Sequence, residues 1–238
     1  MNKKPLISVV VAAFNEEKDL PQCLTAITTQ DFPKDDYEII VVDNNSTDKT
    51  AEIAKSFGAR VVQESKQGNT PAVKKGMDSA TGEIIANTDA DTVVFPDWLS
   101  TVKEIFADKD VVGATGSAYV KTGNSLFDYI SRKTYDIFLG FNFLIGKTHI
   151  TGFNMIVKKS AYDEIGGIDE RFTMSPDVDL GLRIGKKGKV VFSTKLKALT
   201  SLRRWEEAPL EAFWTYFKGY LWTVWLRKPP PAAQKPVR

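Results

Sequence analysis

Several things are scarce in this 238-residue sequence, and each scarcity closes a class of function. Cys23 is its one cysteine, so no internal disulfide can form, which fits a reducing compartment. No stretch approaches the roughly 20 apolar residues that a membrane-spanning helix needs. The opening Met1-Asn2-Lys3-Lys4-Pro5 leads straight into a strand-like segment without the long apolar region of a secretory signal, so the expected location is cytoplasmic. Net charge is only +2, from 32 basic and 30 acidic residues, which argues against nucleic acid as a partner. The first apolar run leads into Ala12-Ala13-Phe14-Asn15-Glu16 rather than a Gly-x-Gly-x-x-Gly turn, and no Gly-x-x-x-x-Gly-Lys-Ser/Thr loop occurs. A dinucleotide oxidoreductase and a P-loop NTPase therefore both fit poorly. No internal repeat is evident.

What is present is ordinary in bulk, 42% hydrophobic and 26% charged, and long enough for one large domain with a substantial core. The first hundred residues alternate strand and helix patterns. Residues 6–12, 37–42, 60–63 and 84–87 read as strands, the first without alternation, as for a strand buried on both faces of a parallel sheet. Helices are expected from Asn15 to about Gln30, from the Asp48 cap to Gly58, and from Gly68 to Ala80. Cys23 falls in a helical apolar row with Leu20, Leu24 and Ile27, a core position rather than that of a nucleophile. The pattern is a doubly wound α/β sheet. Its polar residues, Asn15, Glu16, Asp43, Asp89 and Asp91, gather at the carboxyl ends of the strands, where such sheets bind ligands.

Residues 82–97 hold the densest chemistry. Ile84, Ile85 and Ala86 give way to Asp89 and Asp91, one residue apart and able to project the same way from extended backbone. Two hard oxygen donors suit a divalent cation carrying phosphate, although aspartate also simply caps turns.

Beyond Asp97 the expected elements are a helix at 98–106 and strands at 111–120, 150–157 and 190–192, with Gly152 in the second of these strands as a place where a ligand can approach the backbone. Ser175 and Pro176 read as the cap and first position of a helix reaching Gly188. Asp177 and Asp179 then lie in its first turn, where Asp179 needs no more than helix-dipole complementation as its role. Residues 125–146 and 211–226 are aromatic-rich. The first is either a helix packed over the sheet or an amphipathic surface for a membrane, and the second either meets lipid or packs back on the body. The proline-rich end, 228–238, is expected to be disordered.

Taken in order, these residues resemble the family 2 glycosyltransferases of the GT-A fold, over roughly residues 6–205. Ala12-Ala13-Phe14-Asn15-Glu16 is similar to the family's opening Pro-x-Tyr-Asn-Glu segment, and residues 41–48 to its second-strand motif. Gly68 to Ala72, Lys74, Gly76 and residues 80–82 are similar to the stretch before its Asp-x-Asp, which here is Asp89-Ala90-Asp91. Gly166-Gly167-Ile168-Asp169-Glu170 followed by Asp177 resembles the segment that ends in the catalytic base. The departures are Pro176 where the family writes Glu, Ser201-Leu202-Arg203-Arg204-Trp205 for Gln-x-x-Arg-Trp, and Ala12 and Phe14 for Pro and Tyr. The second of these, with the lack of spans, weakens the case for a polymerising synthase.

The resemblance implies a mostly parallel, Rossmann-like central sheet flanked by helices over residues 1–205, with a nucleotide-binding half at 1–97 and an acceptor half at 98–205. An aromatic, membrane-proximal helix would follow at 206–227. It further implies inverting transfer of a sugar from a UDP- or GDP-linked donor to a sugar or lipid-linked acceptor. Ala12, Phe14, Glu16, Asp43, Lys74, Asp89, Ala90, Asp91, Arg203 and Arg204 would bind the donor. Asp91 with Asp89 would hold Mg²⁺ or Mn²⁺, and Asp177 would act as base. The only histidine, His149, is a candidate further ligand, with a structural role the stronger expectation. A membrane surface is a candidate partner. A GT-A-like nucleotidyltransferase and a catalytically silent sugar-nucleotide-binding module remain as rivals.

Overall fold

The computed structural model describes residues 4–203 and 207–230. Eight strands form one sheet: β1 (Ile7–Ala13), β2 (Tyr37–Asp43), β3 (Arg60–Gln63), β4 (Ile84–Asp89), β5 (Val93–Val94), β6 (Val111–Tyr119), β7 (Met155–Lys158) and β8 (Lys189–Leu199). Their order is β3-β2-β1-β4-β7-β6-β8-β5. The first four run parallel, joined by helices α1 (Leu20–Thr28), α2 (Thr50–Ser56) and α3 (Asn69–Asp78). β1 lacks alternation because both its faces are covered. Val9, Val11 and Ala13 meet α1 and the helix α4 (Trp98–Phe106), whereas Val10 meets α3.

The second half departs from a purely parallel sheet. β7 is antiparallel to both β4 and β6, and β5 to β8, while β6 and β8 run parallel. The strand expected at 150–157 is confined to β7, because residues 152–154 form a 3₁₀ turn. That expected at 190–192 extends to eleven residues as β8. Ser193, Thr194, Lys195 and Lys197 hide it from a search for apolar runs, yet it stays paired with β6 across a shift between Gly116 and Ser117. Gly116 permits the shift: a Cβ there would lie 1.9 Å from the carbonyl oxygen of Leu196.

Helix ends also moved. α1 starts at Leu20 rather than Asn15, because Asn15 adopts a left-handed φ of 50°. Helix α7 (Pro176–Ile184) starts at Pro176 as expected, but Ser175 is buried and makes no side-chain cap. It ends four residues short of Gly188.

Helix α5 (Ser125–Leu144) runs twenty residues from an Asn124 cap, whose Oδ1 accepts the N–H groups of Leu126 and Phe127. It packs over β6 and β8. After the short α6 (Lys159–Glu164), α7 and β8, helix α8 (Pro209–Tyr220) continues as a π-helical turn at Leu221–Leu226. This last segment packs back on the body through Val224, which meets Val178 and Leu182 of α7, and through Tyr220, while Phe213, Trp214, Tyr216, Phe217 and Trp225 face outward. Among the described residues no helix is long and apolar enough to cross a membrane. Most of residues 228–238, and Arg204, lie outside the described residues.

Candidate active site

Two loops at the carboxyl ends of β1 and β2 are stitched into one platform. The N–H of Asn15 donates to Ser46 Oγ at 2.9 Å, its Oδ1 accepts the Thr47 N–H at 2.7 Å, and the Glu16 N–H reaches Thr50 Oγ1 at 2.7 Å. These bonds hold Asn15 in its left-handed conformation and aim Glu16 across the strand ends. Asp43, buried at the end of β2, accepts the Ser46 N–H and the Gln63 amide, both at 3.0 Å. Asn44 beside it clamps the next loop: its amide donates to the carbonyls of Glu64 and Lys66, and its oxygen accepts the Gly68 N–H at 2.7 Å.

β4 delivers Asp89 and the turn to Asp91. Ala12 stands in register with Asp89 and Val42, and Phe14 is half-buried in the loop beyond. Ala90 turns its side chain into the α1–α4 core. Arg203 closes the cluster: its guanidinium lies 3.1 Å from Asp91, 3.2 Å from Glu16 and 3.3 Å from Asp19. Three carboxylates thus converge on one cation. The acidic end of the sheet also reaches Cys23, whose thiol is pushed up by burial first and then by Asp89, Asp91 and Glu16. A thiol so held is no nucleophile at neutral pH, in keeping with a core role.

Asp177 arrives from the other side. Asn87, two residues before Asp89, donates its amide to the Gly152 carbonyl at 2.8 Å, and the Gly152 N–H donates to Asp177 Oδ2 at 2.7 Å. What approaches the Gly152 backbone here is this carboxylate. Burial raises the Asp177 pKa above its ordinary value, against backbone N–H bonds from Val178, Gly152 and Asp177 itself that lower it. Tyr135 of α5 reaches toward the same place, donating its hydroxyl to Thr151 Oγ1 at 3.0 Å. Sequence reasoning gives Asn87 and Thr151 no role in the site and places Tyr135 only among the aromatic residues of 125–146. Asn87 had one available signal, a polar residue in the midst of an apolar strand.

Other expected residues stand apart. Lys74 pairs with Asp78 one turn along α3, a direction that leads away from the carboxyl ends of the parallel strands. Asp179 ion-pairs with Arg183 at 2.7 Å, which goes beyond dipole complementation. His149 is buried between Tyr220, stacked at 5.9 Å, and Phe138, edge-on at 5.6 Å, and burial lowers its pKa to about 4. It is neutral and caged by rings. Among the described residues no group of three or more His, Cys, Asp or Glu side chains could hold a metal.

Residues 8–166 match the family described as Glycosyl transferase family 2. Glycosyltransferase AglE of Haloferax volcanii is 29% identical over 187 residues, covering 73% of this chain and 59% of that protein. The beta-monoglucosyldiacylglycerol synthase of Nostoc sp. is 31% identical over 194 residues, covering 76% of this chain and 41% of its own length. The chain therefore spans roughly two fifths to three fifths of these relatives. Among solved structures, the mannosyltransferase PcManGT from Pyrobaculum calidifontis, in complex with GDP-Man and Mn²⁺, superposes with a TM-score of 0.66 at 21% identity, over 84% of this chain and 58% of that one. S. aureus TarS 1-349 in complex with UDP-GlcNAc also gives 0.66, at 17% identity over 82% and 58%. The shared architecture is the GT-A fold.

Proposed function

The chain belongs to glycosyl transferase family 2, and on that premise we propose that it moves a sugar from a UDP- or GDP-linked donor to an acceptor hydroxyl, inverting the anomeric carbon. The observation that carries this reading is the pairing of two unlike sites across β4. On one side Glu16, Asp91 and Arg203 offer charge for a diphosphate, and on the other a desolvated carboxylate, Asp177, is held on the Gly152 N–H.

Asp43 and Glu16 would hold the nucleoside, with Ala12 and Phe14 beneath the base. Asp91, one residue from Asp89 at the end of β4, offers a carboxylate oxygen of the hard kind that a divalent cation takes, with Arg203 as its present partner. Asp91, with Asp89, would hold Mg²⁺ or Mn²⁺, the diphosphate supplying further ligands. When bound, the ion offsets the charge that develops on the departing diphosphate. Arg203, exchanging Asp91 for phosphate oxygens, grips the diphosphate through paired N–H donors. Asp177 accepts the proton of the acceptor hydroxyl while the acceptor's oxygen bonds the anomeric carbon from the face opposite the nucleotide. The bond to the leaving phosphate oxygen breaks with its electron pair, and one displacement inverts the configuration. A nucleotidyltransferase would have no use for a base at Asp177.

GDP-Man and UDP-GlcNAc in the structural neighbours keep both nucleotides in play. The Nostoc relative, named for a glucosyldiacylglycerol product, supports a lipid-linked acceptor. Thermal unfolding against a panel of nucleoside diphosphates and sugar nucleotides, with and without Mn²⁺, tests the donor half. Binding to the native state raises the melting temperature, by about 2.7 kcal/mol of stability at a hundredfold excess over Kd. A Mn²⁺-dependent shift with UDP or GDP species, lost in Asp91→Ala, is expected. No shift with any of them would withdraw the reading.

A further inference from the structure

Helices α5 and α8 are built inside out. The sixteen large hydrophobic side chains counted as exposed among the described residues all lie between Leu126 and Ile145 or between Leu210 and Leu226, so the apolar surface is concentrated on one helix pair. Leu144 is 83% exposed, Leu210 76% and Ile137 71%. Of the described residues that these helices bury, Leu139 and Val224 are large and apolar, and the others are polar or small. α5 turns Asp136 toward Ser117, at 2.7 Å, and Asn142 toward Tyr220, whose hydroxyl donates at 2.7 Å. α8 and its π-turn bury Ala212, Gly219 and Thr223. A helix facing water and a core shows the reverse pattern. Small residues between helices with large apolar ones outside are what lipid contact selects.

The two exposed faces adjoin, since Phe138 of α5 meets Tyr220 at 5.4 Å and Lys147 sits over Trp225 at 5.1 Å. Charge identifies the occupant. Along residues 121–147 and 207–230 the exposed cations are Lys121, Lys133, Lys218, Arg227 and Lys228, against the exposed acids Glu207 and Glu211. A second copy seated on this face would set like charges together, whereas anionic headgroups complement them. The half-buried charges of α5, Asp128, Arg132 and Asp136, disfavour burial of that helix in a bilayer core, and no helix among the described residues is long and apolar enough to cross a membrane. Exposed Trp214, Trp225, Tyr129 and Tyr216 suit the headgroup level.

We propose that α5 and α8 form an interfacial docking surface that lays the protein on an anionic bilayer. The surface borders the Asp177 side of the site: Tyr135 of α5 bonds Thr151 beside Gly152, and Gly219 of α8 packs against Ser175, two residues before Asp177. Docking is independent of the glycosyl-transfer reading. Its consequence, that the acceptor hydroxyl is presented from the bilayer, rests on that reading.

The test is co-sedimentation of the full chain with vesicles of phosphatidylglycerol and phosphatidylcholine, and with phosphatidylcholine alone. Tighter binding to the anionic vesicles is expected, weakening as salt rises. Ile137→Asp with Leu144→Asp should weaken partitioning by more than about tenfold. Lys133→Glu with Arg227→Glu should remove the preference for the anionic vesicles. Circular dichroism and the nucleotide-induced thermal shift report whether each variant is folded, and loss of that shift with vesicle binding intact would count against the donor reading only. Docking is overturned if the wild type fails to sediment with anionic vesicles. It is also overturned if the apolar variants bind them as well as wild type does, or if light scattering finds a dimer that those variants abolish while vesicle binding is absent.

Discussion

Acid should destabilise this protein through one residue. His149 is enclosed by Phe138 and Tyr220, and burial lowers its pKa from the ordinary 6.5 to about 4. The folded state therefore binds fewer protons than the unfolded state between those values, so stability falls as pH falls through that window. Each pH unit is worth about 1.36 kcal/mol while only the unfolded state is protonated. At pH 5 the loss reaches about 2 kcal/mol, and below pH 4 it levels off near 3 kcal/mol. For a chain of this size that is a fall in melting temperature of about 4–8 °C at pH 5. The assay is urea unfolding at a series of pH values between 7.5 and 4, comparing wild type with His149→Phe, an aromatic replacement that keeps the ring stack. The variant has its own baseline stability, so the quantity compared is the slope against pH. Carboxylates titrate in both proteins and cancel in the difference. The wild-type curve should fall more steeply by the amounts above. Parallel curves from pH 7 to pH 5 would refute a buried neutral imidazole.

Two further outcomes follow from the site and the sheet. Asp177→Asn should leave the donor-induced thermal shift intact and lower kcat by about 10²–10⁴. In wild type the rate should fall with acid through a pKa above the ordinary carboxylate value of 3.8, because protonation of a desolvated Asp177 removes the base, and this limb should vanish in the variant. An unchanged kcat would sink the assignment. Gly116→Ala should cost about 3 kcal/mol in urea unfolding, because its Cβ would meet the backbone oxygen of Leu196 rather than a movable side chain. A near-neutral result would mean that β8 slides freely on β6.

The local parts of the site were legible because each occupies a short run. Asn15-Glu16 follows a strand, Asp43 to Asp48 follows another, and Asp89 to Asp91 follows a third. In a parallel sheet the ends of consecutive strands share one edge, so reading these runs also located the cluster. Asp177 was legible through its place after Gly166-Gly167, both of which adopt left-handed φ values. Arg203 was named only through the resemblance, and its direct pairing with these carboxylates was not legible: it lies 112 residues from Asp91 and 187 from Glu16, and Asn87 lies 65 from Gly152. No periodicity carries such distances, since they depend on where β7 inserts and on α7 folding back over it.

The sequence by itself determined that the chain is a wound α/β sheet whose carboxylates meet at the strand ends, because apolar runs and turn residues act over a few positions and parallel topology orders what lies between. Only the tertiary structure decided that β7 runs against its neighbours, that β8 is long, and that Asp177 is held on the Gly152 N–H. It also decided which way α5 and α8 face. Amphipathic spacing gives a helix two sides but no direction, and direction comes from what the inner side meets: here Ser117, Thr151 and Ser175 beside the buried Leu139 and Val224, which leaves most of the large apolar side chains outward.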